Sequence, residues 1–139
     1  MMKCILTSLC LMILLSGILC FASSCGAESE DTTPDIQSID ITVTIDFPKK
    51  AKITDIQQDS FTIEEESTVL ETIELYGNVN NISVLVDTTN NTLEGIHGII
   101  NDVYKETYTW QCTVNDKAVK SIAKKELKDG DIVEFKYTK

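Results

Sequence analysis

Few side chains of this 139-residue chain are of the types that carry out chemistry. The single histidine, His97, lies next to Gly98, and Cys112 is the one cysteine after residue 25. A reactive thiol needs a lowered pKa and a neighbouring base, and His97 is the sole candidate for that base. We therefore predict that Cys112 is a small buried hydrophobic residue. The chain also has no Ser-His-Asp spacing, no phosphate-binding glycine loop and no zinc ligand set. These absences predict no catalytic residue, no metal site and no enzymatic activity.

Acidic clusters are the other candidates for chemistry. The run Glu64-Glu65-Glu66 has the composition of a cation site, but a solvated strand end explains it more simply. Asp129 and Asp131 flank Gly130, a pattern typical of a turn in which glycine takes a positive φ. We assign both clusters structural roles.

The charge balance excludes nucleic acid as a partner. The chain has 22 acidic residues against 12 lysines and no arginine, which gives a net charge of −10. Nucleic-acid binding depends on clustered cations and counterion release. Five lysines do cluster near the carboxyl terminus, without aromatic residues or arginine among them. We predict that they belong to an exposed amphipathic connection: Lys117, Lys120, Lys124, Lys125 and Lys128.

The amino-terminal segment predicts export from the cytoplasm. Residues 1–24 contain one charge, Lys3, and an apolar run too short to span a bilayer, as in a signal peptide. The junction Ala-Ser-Ser before Cys25 is similar to the lipobox of bacterial lipoproteins, although alanine stands where leucine is usual. We predict that Cys25 is lipidated, which places the protein outside the cytoplasm on the bacterial cell membrane. An ordinary cleaved signal peptide is the alternative.

A short acidic tether follows, and one folded domain comes after it. Residues 25–38 start with the predicted lipidated cysteine and then carry four acidic residues but almost no apolar ones, so we expect no packed structure there. The remaining residues, 39–139, are enough for one domain of ordinary size. Within them, apolar residues alternate from Ile39 to Phe47, which predicts a strand with one buried face. A second strand is predicted over residues 60–64.

One helix is predicted in the first half of this domain. Thr68 and Glu71 have the spacing of a capping box, and apolar residues continue on one helical face to Tyr76. Gly77 is a typical stop signal just after a helix. A short strand over residues 82–86 and an extended or turn segment around His97 are predicted to follow.

The best-specified core is at the carboxyl terminus. Alternation predicts one strand with Tyr108, Trp110, Cys112 and Val114 on a single face. A second strand runs from the Gly130 turn to residue 137, and we expect the two strands to meet around the tryptophan. This element order predicts an α+β fold with one short helix packed on a mixed sheet.

Residues 39–137 resemble a small bacterial surface domain of the β-grasp (ubiquitin-like) class. That domain is similar to the carboxy-terminal domain of transcobalamin and intrinsic factor. The resemblance is carried by the opening strand ITVTIDF, the helix start STVLETI, the His97 segment, the spacing of Trp110 and Asn115, and the ending LKDGDIVEFKY. The chain departs from the family at Thr109 and Asp116, where glycines are usual. It also has no counterpart of the large helical domain of the carriers.

The resemblance implies a ligand-binding protein at the cell surface, with cobalamin or a related corrinoid as the candidate ligand and no required cofactor. The site residues it implies are His97, Tyr108, Trp110 and Asn115. Each has a structural alternative, since tryptophan is often core and a histidine between glycines is often a turn residue. A second hypothesis is a non-enzymatic module that docks on another envelope protein through an open sheet edge.

Overall fold

A computed structural model describes residues 36–139 of the chain. These residues lie in the compact unit Pro34–Lys139, and every residue of the described core belongs to that unit. The predicted signal peptide, Cys25 and most of the acidic tether are outside the described residues. The strands are β1 (Ser38–Asp46), β2 (Ile56–Glu64), β3 (Val84–Asp87), β4 (Thr92–Ile96), β5 (Ile99–Ile100), β6 (Thr109–Val114), β7 (Lys117–Ala118) and β8 (Ile132–Thr138), and the helix is α1 (Val69–Asn80).

The larger sheet has five strands in the order β2-β1-β8-β6-β7. β1 and β2 form an antiparallel pair, whereas β1 and β8 run parallel side by side at the centre. The alternation predicted for β1 is confirmed, because Ile41, Val43 and Ile45 are buried and the intervening residues face outward. β2 begins four residues before the predicted strand. The mixed sheet with a single packed helix confirms the predicted α+β class.

The capping box of α1 is confirmed. The backbone N–H of Glu71 donates to Thr68 Oγ1 (3.3 Å), and the backbone N–H of Thr68 donates to Glu71 Oε2 (2.8 Å). The predicted end of the helix at Gly77 is wrong, because α1 continues to Asn80 and Asn81 takes the left-handed conformation at its end. Gly77 is required for packing instead. A Cβ at this position would lie 2.6 Å from the carbonyl oxygen of Ile82.

A smaller antiparallel sheet has the order β3-β4-β5. The extended or turn segment predicted around His97 is two strands, β4 and β5, joined by a two-residue turn. Both residues of that turn have positive φ, 54° at His97 and 78° at Gly98, as a tight type I′ hairpin requires. The imidazole is therefore displayed at the tip of a hairpin.

The carboxyl-terminal strands meet as predicted. β6 and β8 are antiparallel and pair Trp110 with Tyr137, Cys112 with Phe135 and Val114 with Val133. All six side chains are buried in one core. Gly130 has a φ of 77° in the turn before β8, as predicted.

Candidate functional site

Topology gathers aromatic residues at one end of the large sheet. Because β1 and β8 are parallel, Phe47 and Tyr137 lie at the same end of the sheet, near the carboxyl ends of these strands. The antiparallel β6 begins at that end with Trp110. Phe47 and Trp110 meet edge to face at 5.8 Å between ring centroids, and Trp110 and Tyr137 do so at 5.7 Å. His97 and Tyr108 complete this group, which we name the aromatic end.

Trp110 lies at the centre of the aromatic end and is 7% exposed. Its indole N–H donates to the carbonyl oxygen of Ile99 (2.8 Å), and its backbone N–H donates to Asn101 Oδ1 (2.9 Å). These bonds fix the ring against both β5 and the loop that follows it. Trp110 and Glu94 both line a groove of about 340 Å³ between β4 and β6. Little of the indole surface is therefore open to a ligand.

His97 is the exposed member of the aromatic end. Its backbone N–H donates to the carbonyl oxygen of Ser83 (2.7 Å), and its ring meets Phe47 edge to face at 5.9 Å. The backbone that carries the imidazole is thus fixed, while the residue as a whole is exposed to solvent. Such an imidazole can donate or accept a hydrogen bond, or coordinate a metal ion.

Tyr108 is half-buried and packs on Tyr137 at 6.0 Å, with Lys105 Nζ 5.0 Å from the centre of its ring. Tyr104 lies on the other side of Tyr137 at 6.3 Å and is 38% exposed. These two tyrosines extend the aromatic end toward solvent. The alternation of β1 correctly predicts Phe47 on the buried face, but no sequence pattern places Phe47 or Tyr104 in the candidate site.

Asn115 lies at the opposite end of β6, about 16 Å along the strand from Trp110 at 3.3 Å per residue. It does not join the other three predicted site residues. Its Nδ2 donates to Asp131 Oδ1 (2.7 Å), and its Oδ1 accepts from the backbone N–H of Ile132 (2.9 Å). Asp131 is 8% exposed and also accepts from the backbone N–H of Lys128 (2.9 Å). We name this region, with Asp40 and the Gly130 turn, the turn end.

The outer face of the small sheet carries an apolar row that the sequence pattern does not predict. Leu85, Gly95 and Ile100 pair across β3, β4 and β5. Leu85 is 54% exposed and Ile100 is 47% exposed, while Gly95 between them is covered. A Cβ at Gly95 would lie 3.2 Å from Cγ2 of Ile100. Because glycine has no side chain, nothing projects from the row between Leu85 and Ile100. The same strands β4 and β5 display His97 at their turn.

Cys112 is buried next to Trp110, as predicted. Burial, with a smaller effect of the Glu134 carboxylate, raises the pKa of its thiol to about 12, so the thiolate is not present at neutral pH. Among residues 36–139, no group of three or more His, Cys, Asp or Glu side chains is placed to hold a metal ion. Over the same residues, no helix has both the length and the apolar character needed to cross a membrane.

Two solved structures are similar to this chain in fold. A structure of haptocorrin in complex with Cbi matches 74% of this chain and 25% of its own, with a TM-score of 0.60 and 11% identity. A Ruminococcus gnavus protein, to which metal binding has been ascribed provisionally, matches 73% of this chain and 97% of its own. Its TM-score is 0.50 at 18% identity.

No family model matches the chain, and no relative among curated proteins matches it either. At identities this low the structural likeness concerns the fold alone. The chain spans about a quarter of the haptocorrin chain that it matches. The resemblance in fold to transcobalamin-like domains, predicted from the sequence, is confirmed.

Proposed function

We propose that this chain is a lipid-anchored binding protein that holds a small ligand at its aromatic end, with a corrinoid as the candidate ligand. His97 carries the proposal. Its imidazole is exposed, but its backbone is held by the 2.7 Å hydrogen bond to Ser83 and by the tight turn. A polar group fixed beside apolar surface is the common composition of ligand sites. The apolar surface that we assign to the ligand is the row of Leu85 and Ile100, which lies on the outer face of the sheet whose β4–β5 turn carries His97.

The structural neighbour supports the class of ligand. Cbi, bound to haptocorrin, is a cobalamin precursor, and the domain that resembles this chain is one part of that carrier. The matched region corresponds to about a quarter of the haptocorrin chain, so the Pro34–Lys139 unit by itself would surround less of a ligand than the whole carrier does. Most affinity for small molecules comes from enclosure, so we expect a dissociation constant on the order of 0.1 mM. The site would hold the ligand without a required cofactor and without catalysis.

Titration of the Pro34–Lys139 fragment with cobinamide and cobalamin tests this proposal. The His97→Asn variant removes the imidazole but keeps a residue that tolerates the left-handed turn. We expect it, and Ile100→Ser, to weaken binding by about tenfold, the effect of one lost hydrogen bond or of part of the apolar contact. Val79→Ser is the matched control, because Val79 is a 60% exposed apolar residue on α1. Absence of binding at about 1 mM ligand would contradict the proposal.

The anchor and the location are proposed on the sequence of the amino-terminal segment. Lipidation of Cys25 would attach the protein to the outer surface of the cell membrane, since acyl chains supply about 0.8 kcal/mol per buried methylene. Growth with radiolabelled palmitate should label the wild-type protein and leave Cys25→Ser unlabelled. Equal labelling of both would place the lipid on another residue, and no labelling of either would remove the anchor.

We also assign the domain to the β-grasp class. The assignment is supported by the β1–β2 hairpin, the helix that follows it and the return of β8 parallel to β1 at the centre of the sheet. A solution structure by NMR, with β1–β8 contacts in parallel register, tests it.

A second candidate function is docking on another envelope protein. It is favoured by β2, a nine-residue strand at the outer edge of the five-stranded sheet. Such an edge can pair with an added strand. Affinity recovery from solubilised membranes, followed by mass spectrometry, distinguishes the candidates. One stoichiometric protein lost on Ser60→Pro supports docking, while recovery of no partner together with corrinoid binding supports the first proposal.

A further inference from the structure

We propose that a lysine-lined groove at the turn end binds a phosphate group of a ligand. The groove is lined by the β6–β7 hairpin and the connection after it, and its volume is about 380 Å³. Four of the lysines that the sequence analysis assigned to an exposed connection line it, together with a serine. We name it the lysine groove: Lys117, Lys120, Ser121, Lys124 and Lys125.

The backbone that carries these lysines is fixed. The N–H of Val119 donates to the carbonyl of Cys112 (2.9 Å), which ties the start of the connection to β6. Its middle is tied to α1, because the carbonyls of Ile122 and Lys125 accept from the N–H groups of the first turn (3.0 and 2.9 Å). Leu127, 2% exposed, packs in the core just beyond. The groove is therefore preformed, so little ordering of the chain opposes binding.

The charges of the groove are available to a ligand. Within residues 36–139 the one ion pair joins Lys136 and Asp46 at 3.2 Å, away from the groove. The acids nearest in sequence, Asp116 and Glu126, do not line it. The chain as a whole has a net charge of −10, which repels anions at long range. At physiological salt that repulsion is screened beyond about 8 Å, so the close lysines decide the interaction inside the groove.

The composition of the groove favours phosphate over nucleic acid. Ammonium groups bind phosphate as point charges, and the Ser121 hydroxyl can donate a further hydrogen bond. Nucleic-acid sites depend on arginine and on aromatic rings that stack on bases, and neither lines this groove. Val114, Ala118 and Val119 provide an apolar part of the wall. The ligand would thus join a phosphate to a small apolar part, and a soluble phosphate ester and a lipid headgroup share that chemistry.

Two binding measurements on the Pro34–Lys139 fragment test the site and distinguish a soluble phosphate ester from a lipid headgroup. Calorimetric titration with inorganic pyrophosphate at about 50 mM salt measures the soluble form. Sedimentation with phosphatidylglycerol vesicles, against phosphatidylcholine vesicles, measures the headgroup form. The test variant is Lys120→Gln with Lys124→Gln. The matched control is Lys49→Gln with Lys50→Gln, which removes the same charge from exposed positions in the short 3-10 helix Lys49–Ala51.

We expect the test variant to lose about tenfold or more in affinity and the control to change less than about twofold. A soluble ligand is supported if pyrophosphate binds and the control variant keeps this binding while the test variant loses it. A lipid headgroup is supported if the fragment binds phosphatidylglycerol vesicles but not pyrophosphate. Equal losses in the two variants would show a nonspecific charge effect and overturn the proposal. No binding of either probe by the unmodified fragment would overturn it as well. Circular dichroism of both variants confirms that the fold is retained.

Discussion

The two ends of the five-stranded sheet, the aromatic end and the turn end, are stabilised by different interactions. At the aromatic end, rings pack edge to face around Trp110, and its indole N–H is satisfied by one backbone carbonyl. At the turn end, polar groups form a network in which Asn115 and Asp131 share a hydrogen bond of 2.7 Å. Packing of rings leaves some side chains free to project outward, as His97 does. At the turn end the polar atoms of Asn115 and Asp131 bond to each other, so a ligand there depends on the neighbouring lysines.

The largest expected effect is at the aromatic end. Trp110→Ala removes a nearly buried indole, its two ring contacts and a hydrogen bond, so we expect a loss of about 3–5 kcal/mol in the free energy of unfolding. Urea denaturation followed by far-ultraviolet circular dichroism measures it. A loss below about 1 kcal/mol would show that ring packing contributes little to the free energy of unfolding, and it would contradict the contrast drawn between the aromatic end and the turn end.

The turn end should respond less. Asn115 has a φ of 51°, so Asn115→Gly keeps the backbone conformation while it removes both side-chain hydrogen bonds. Because the Asp131 carboxylate is then left with fewer donors in a buried position, we expect a loss of about 1–3 kcal/mol. The same denaturation measurement applies. Asn91→Gly is the control, since Asn91 is exposed and also has a positive φ.

The sequence predicts most of the strands because side-chain alternation reports directly which face is buried. β1 and β8 follow this rule, and the Gly130 turn follows from local backbone chemistry. Gly77 was assigned incorrectly because two different requirements select glycine. One is a positive φ after a helix, and the other is close approach of another segment, which depends on tertiary packing with Ile82.

The candidate site was less predictable because its residues are distant in sequence. Phe47 contacts His97 from fifty positions away, and no local pattern encodes that contact. The resemblance implies Asn115 together with Trp110, but Asn115 lies just past the end of β6, and only its hydrogen bond to Asp131 explains its role at the turn end. The outward row of Leu85 and Ile100 depends on strand register, which the sequence of short strands does not specify.

The cap of α1 lies near the turn end, because the carbonyl of Ser67, just before the cap, accepts a hydrogen bond from the N–H of Leu127 (3.0 Å) in the connection before β8. The pH dependence of this cap therefore tests the polar interactions in that region. Hydrogen bonds from the backbone N–H and the hydroxyl of Thr68 lower the pKa of Glu71 below its ordinary value. Its contribution is therefore present above the unfolded pKa of about 4.3 and is lost as the pH falls through the folded pKa.

Thr68→Ala should cost about 1 kcal/mol at neutral pH. The difference from wild type should shrink as the solution is acidified below the ordinary pKa of glutamate. Thermal unfolding of both proteins over that pH range measures it. A difference that stays constant with pH would mean that the hydrogen bond from the Thr68 hydroxyl to the Glu71 carboxylate does not contribute, because the backbone N–H of residue 68 donates to Glu71 in both proteins.

The smallest effect on stability is expected for His97, and this distinguishes a displayed side chain from a structural one. His97→Asn keeps a residue suited to a φ of 54° and preserves the backbone hydrogen bond to Ser83, so stability should change by less than about 0.5 kcal/mol. The substitution removes the edge contact with Phe47. If denaturation instead shows a loss above about 1 kcal/mol, the imidazole is part of the aromatic core, and weakened ligand binding by this variant would follow from instability. If stability is unchanged while corrinoid binding falls, the imidazole acts on the ligand directly, because unchanged stability shows that loss of the Phe47 contact has not disturbed the aromatic end.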